Sequence, residues 1–146
     1  MVVDTLSKFI KLLISSVLVL TLFACQNSTN QENVEDGYYT SKEDVSLYII
    51  TYHRLPDNFI TKDEAESLGW DNDKGNLWEV TDKKSIGGDR FYNREGLLPD
   101  GTTYYECDID YEGGYRNAKR IVYSSNWAVY YTDDHYDSFE MLYEGE

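Results

Sequence analysis

The sequence changes texture once, at the Gly87-Gly88 pair, and that change confines the chain to folds in which helices come first and strands follow. Before the pair, Thr40-Ser41-Lys42-Glu43 has the form of a capping box, and Val45, Tyr48, Ile49 and Tyr52 then recur at helical spacing. This predicts a first helix with one apolar stripe, closed by Pro56. Thr61-Lys62-Asp63-Glu64 repeats the signature; Ala65 and Leu68 supply a buried side, and Gly69 stands where helices commonly end. After the pair, aromatic and β-branched runs at 90–92, 103–109, 120–123, 127–132 and 139–142 alternate with turn signals such as Pro99-Asp100-Gly101 and Ser124-Ser125-Asn126. The expected fold is α+β, with two to three N-terminal helices packed on a roughly five-stranded antiparallel sheet.

A chain of 146 residues has length for one folded domain. Its start is different in kind. Lys8 and Lys11 precede an apolar run over 12–24, too short to cross a bilayer as a helix but suited to the core of an export signal. Leu22-Phe23-Ala24-Cys25 is similar to a bacterial lipoprotein cleavage box, with Cys25 as the lipidated first mature residue and Phe23 larger than the usual occupant. A plain secretory signal cut nearby is the alternative. Residues 25–36 are polar, with only Val34 to bury, and predict a disordered tether; the folded domain is then 37–146. The expected location is outside a bacterial cell, released or held on its surface through the lipid at Cys25. Cys107 leaves no disulfide framework for the domain and is expected to be a small buried residue.

Five segments in order carry a resemblance: TYHRLPDNFITKDEAESLGW at 51–70, KGNL at 74–77, SIGGDRFYNREG at 85–96, GGYRNAKR at 113–120 and DHY at 134–136. Over roughly 37–142 the chain resembles the barnase-like, guanyl-preferring bacterial ribonucleases. The resemblance implies RNA cleavage through the 2′-hydroxyl with neither metal nor cofactor. Such chemistry needs a base, an acid and cations around the reacting phosphate. By local alignment the base is Glu106 and the acid His135, with Lys62, Arg116 and Arg120 facing the phosphate. The same likeness assigns guanine recognition to Phe91, Asn93, Arg94 and Glu95, and contact with the bound nucleotide to Tyr136. Tyr92 replaces a small residue of the family loop and either narrows the base site or adds a stacking surface. His53, past the first helix, corresponds to a histidine that stabilises the helix end. A barstar-like protein inhibitor is implied as a partner beside single-stranded RNA, and the enzyme is expected to be a monomer.

Taken without the family, a lone strand glutamate is more often a solvated outward residue, and Arg116 and Arg120 could simply pair with neighbouring acids. Strand alternation puts Glu106 and Cys107 on opposite faces, the carboxylate to the open side and the thiol to the core. The net charge of −14 argues against nucleic acid and predicts weak non-specific RNA binding. Yet of five arginines, Arg94, Arg116 and Arg120 fall at the matched positions. The rival reading is a weakly active or inactive binding module on a surface lipoprotein. The run 71–75, DNDKG, is expected to be a turn, since its glycine and missing closing glutamate do not fit a calcium loop.

Overall fold

The computed structural model describes residues 37–146. The expected signal segment, Cys25 and the tether through residue 36 lie outside the described residues.

Helix α1 runs Lys42–Tyr52. Its N-cap is Ser41, one residue later than the sequence pattern suggested, and the Ser41 hydroxyl accepts from the Asp44 N–H at 3.1 Å. A cap of this kind is worth about 1 kcal/mol. The helix ends at His53 in the left-handed region, φ 53°, with the His53 N–H donating to the Ile49 carbonyl. The backbone of His53 thus caps the helix, while its ring stacks on Trp127 at 4.5 Å and lies 3.3 Å from a Glu146 carboxylate oxygen. Helix α2, Lys62–Ser67, carries the predicted reciprocal capping box between Thr61 and Glu64. Ala65 is buried, but Leu68 is the C-cap and is exposed, because the helix ends one residue before it. The run 71–75 forms a turn as expected, a 3-10 turn at Asn72–Lys74 ended by Gly75 at φ 58°, and α3 follows at Leu77–Val80.

The sheet has six strands in sequential order: β1 Phe59–Ile60, β2 Ser85–Phe91, β3 Tyr104–Asp108, β4 Arg120–Ser124, β5 Val129–Thr132 and β6 Glu140–Tyr143. Strand β1 pairs parallel with β2, and the other pairs are antiparallel. The glycine pair is therefore no boundary between texture and texture: it lies inside β2, at a bulge where the register shifts between Gly87 and Asp89. A Cβ on Gly87 would stand 2.6 Å from the Cys107 Cβ and 2.7 Å from the Phe59 ring, so only glycine lets the three strands close up there.

Alternation sorts the sheet into two faces. Cys107, Ile121, Tyr123 and Val129 pack with Val45 and Ile49 of α1 on one side. Ala65, Trp70, Leu77 and Ile86 form a second core beneath α2 and α3. On the opposite face Tyr104, Val122 and Tyr130 pack with Leu98 and Ala128. The same parity brings Asp89, Phe91, Glu106, Asp108, Arg120 and Thr132 to that second face.

Candidate active site

Glu106 sits in the middle of β3, between Asp89 of β2 and Val122 of β4, and is only 8% exposed. One carboxylate oxygen lies 3.4 Å from Lys62 Nζ; the other accepts from the Tyr136 hydroxyl at 2.6 Å. A buried carboxylate needs such partners to remain in place. Lys62 opens α2, and its backbone N–H donates to Asp89 at 3.0 Å, so the cation is aimed by a carboxylate on the strand beside Glu106. Burial, followed by the Glu106 charge, raises the Tyr136 phenol well above its ordinary value, which keeps it a proton donor toward Glu106. Its ring stacks on Phe91 at 5.1 Å. Cys107 points away into the α1 core, where burial first of all raises its thiol.

His135 and Tyr136 occupy the loop between β5 and β6, both with positive φ, 55° and 73°. Non-glycine residues adopt this conformation only where surrounding bonds impose it. Here Thr132 supplies them: its hydroxyl accepts the Tyr136 N–H at 3.1 Å and donates to Asp134 at 2.8 Å. Asp134 in turn accepts from the Ser138 hydroxyl and, at 2.9 Å, from its N–H. The Ser138 and Thr132 bonds pull the Asp134 carboxyl down to about 2. The His135 ring lies 4.8 Å from the Tyr136 ring, and its backbone N–H reaches the Ala118 carbonyl. Tyr136 thus touches both groups expected to exchange protons, and Glu106 and His135 meet across one tyrosine on one face.

Arg116 and Arg120 share one buried anion, Asp108. Arg116 binds it with two parallel bonds of 2.7 Å, and Arg120 Nε stands 3.0 Å from Asp108 Oδ1 without the alignment of a hydrogen bond. Two backbone carbonyls, of Asn117 and Lys119, hold Arg120 Nη1 at 2.7 Å. Burial works against the Arg116 charge, but its bonds to Asp108 and the Asp108 charge outweigh that and raise it. The arginines therefore do pair with a neighbouring acid. Pairing fixes them in place, with Lys62, Arg116 and Arg120 standing among Glu106, Asp108 and Asp89. The charges balance locally in a chain whose net charge is −14.

Two recesses open on this face and His135 lines both. The larger, about 680 Å³, is bounded by Phe91, Asn93, Arg94, Glu95 and Tyr136. The smaller, about 380 Å³, is bounded by Arg116, Asn117 and Arg120. Arg94 and Glu95 are exposed at the loop rim. Asn93 has φ 50°, and its amide binds both the carbonyl and the N–H of Leu98, so its side chain braces the loop that carries them. Sequence reasoning missed Asp89, Asp108, Asp134 and Thr132. For Asp108 the signal was present, two residues along the strand from Glu106 and hence on its face. Asp134 and Thr132 act through loop bonds that leave no periodic trace.

A family model described as ribonuclease matches residues 29–143. A ribonuclease of Heyndrickxia coagulans is 58% identical over 100 residues, covering 67% of this chain and 92% of the relative. A ribonuclease of Bacillus intermedius is 58% identical over the same share of this chain, which spans 62% of that protein's length. Guanyl-specific ribonuclease St of Saccharopolyspora erythraea is 40% identical over 57 residues, 37% of this chain and 56% of that protein.

Proposed function

Because this chain belongs to the ribonuclease family and is a metal-independent RNA endonuclease, we propose that it is exported and cuts RNA on the 3′ side of guanosine by transesterification. Glu106 takes the proton of the 2′-hydroxyl as that oxygen attacks phosphorus. His135, protonated, gives its proton to the departing 5′-oxygen, and a 2′,3′-cyclic phosphate is left. In the second step the roles reverse: His135 accepts a proton from water, the water oxygen attacks phosphorus, and Glu106 returns a proton to the 2′-oxygen to yield the 3′-phosphate. Lys62, Arg116 and Arg120 stabilise the charge that builds on the non-bridging oxygens. Arginine suits this work because its planar fork meets two oxygens at once.

Guanine enters the larger recess. There the exposed Glu95 carboxylate can accept from both N–H groups of one base edge, and the Phe91–Tyr136 stack offers an aromatic wall. The observation that carries the reading is the shared contact of Tyr136 with Glu106 and His135 at the junction of the two recesses. The same cation cluster is a surface that an acidic, barstar-like inhibitor would cover. The leader and Cys25 support export with a lipid anchor.

The test is turnover of guanylyl-3′,5′-cytidine by purified domain. Glu106→Gln and His135→Ala should each lower kcat about 100-fold or more with an unchanged melting temperature. Full activity in either variant sinks the assignment.

A further inference from the structure

The arginines that lack an acidic partner mark a second place for RNA. Arg54 pairs with Asp57, and Arg116 and Arg120 with Asp108. Among the described residues Arg90 and Arg94 have no acidic partner; each instead sets its guanidinium against the ring of Tyr92, at 5.4 Å and 5.5 Å. Glu95 and Asp137 line the same recess and Asp100 the neighbouring pocket, yet none pairs with either arginine, so both guanidiniums can meet a phosphate. Tyr92 itself is 65% exposed.

The backbone explains the grouping. Phe91 faces the recess assigned to guanine and stacks on Tyr136. Arg90 and Tyr92 flank Phe91, so they share the other side of the chain at the end of β2. Asn93, in the left-handed region, then turns the chain so that Arg94 comes back over the same ring. The outcome is an aromatic ring with guanidiniums at its edge or face, on the outer side of the loop whose inner side closes the base recess. Arg90, Tyr92 and Arg94 line the rim of that recess, and Arg90 and Tyr92 also line a smaller pocket of about 110 Å³ against Tyr104. Stacking rings with arginine at hand is the chemistry by which single-stranded nucleic acid is held without regard to sequence.

We infer that Arg90, Tyr92 and Arg94 form a separate subsite for the nucleotide on the 5′ side of the cleaved guanosine, stacking its base and meeting its phosphate. This rests on the proposed cleavage after guanosine. The direction follows from the other recess. His135 protonates the leaving 5′-oxygen, so the downstream nucleotide departs along the Arg116–Arg120 pocket, which none of the three residues lines. The upstream chain is left to leave the base recess over its Tyr92 rim.

The experiment compares guanylyl-3′,5′-cytidine with the same compound lengthened by one adenosine at its 5′ end or at its 3′ end. The proteins are the wild type, Arg90→Ala, Tyr92→Ala and Tyr92→Phe. The 5′ extension should raise wild-type kcat/KM about fivefold or more. Both alanine variants should lose most of that gain, and Tyr92→Phe should keep it. A gain confined to the 3′ extension, or a 5′ gain that survives both alanine changes, overturns the subsite while the guanosine reading stands. So does a Tyr92→Ala enzyme that is merely faster on the dinucleotide, since Tyr92 would then only narrow the base site. If the wild type turns over no dinucleotide, the parent reading falls instead. Affinity for the uncleavable 2′-deoxy trinucleotide then decides the subsite, weakened about fivefold by Tyr92→Ala if it exists and unchanged if it does not.

Discussion

At Asp108 a single carboxylate, almost wholly buried, answers two guanidiniums. Removing its charge leaves Arg120, 3% exposed, and Arg116, 16% exposed, with little water in its place, so Asp108→Asn should lower stability by about 3 kcal/mol in urea unfolding. The vacated charge also predicts a specific rescue. Inorganic phosphate should raise the melting temperature of Asp108→Asn by more than that of the wild type, because an anion bound only by the folded state stabilises it by mass action. Equal shifts would show that phosphate does not reach the arginines. The residues themselves were half legible. Arg116 and Arg120 could be read as phosphate ligands or as partners of an acid, and the structure gives them the acid while leaving them on the wall of a recess. With 27 acidic residues in the chain, nothing local said which one. Alternation along β3 from Glu106 to Asp108 was the missing step.

The element that most needs bracing is the β5–β6 loop, which holds His135 and Tyr136 in backbone conformations they would not choose alone. Its bonds converge on Asp134, whose pKa is depressed to about 2 by Ser138 and Thr132. A depressed carboxylate lends its support fully above the ordinary value of 3.8 and loses it as pH falls through about 2. The loop should therefore be indifferent to this titration above about pH 4 and should loosen below it. Asp134→Asn should remove that acid step from the amide shift of Ser138 in NMR titration. It should also lower kcat about tenfold or more, because the imidazole is no longer held in line, with little change in the melting temperature. Helix starts were the most legible elements, Thr61 to the residue and Ser41 to within one of Thr40, since both announce themselves by hydroxyl chemistry within one turn. Strand edges were less so. Strand β1 is two residues long, too short for any period, and the Gly87-Gly88 pair reads as an interruption when its function is a bulge within β2. Leu68 was expected inside because its spacing from Ala65 is helical, but spacing cannot say on which residue a helix stops.

Over the whole molecule the charge is −14, while the cations of the site and its rim are gathered on one face of the sheet and the neighbouring loop. RNA approaching at low salt meets the sum; RNA in contact meets the cluster. The Debye length shrinks from about 30 Å at 0.01 M salt to about 8 Å near 0.15 M. Added salt should first raise kcat/KM on long RNA by screening the distant carboxylates, then lower it as the contacts themselves are screened. A profile that only falls with salt would show the bulk charge to be irrelevant. The order of layers was legible because caps and turns are local, and the meander of β2 to β6 follows the chain without crossing. The gathering of the cations on one face was not, because composition averages over both sides of a sheet. In the centre of that sheet, Glu106 and Cys107 stand back to back, the one facing RNA and the other plugged into the interior. Retuning can therefore begin at exposed positions such as Leu97 and Tyr115, which line the two recesses. Strand β3 is closed to such tinkering, for any slackening there admits water to the core through the very residue that must stay fixed.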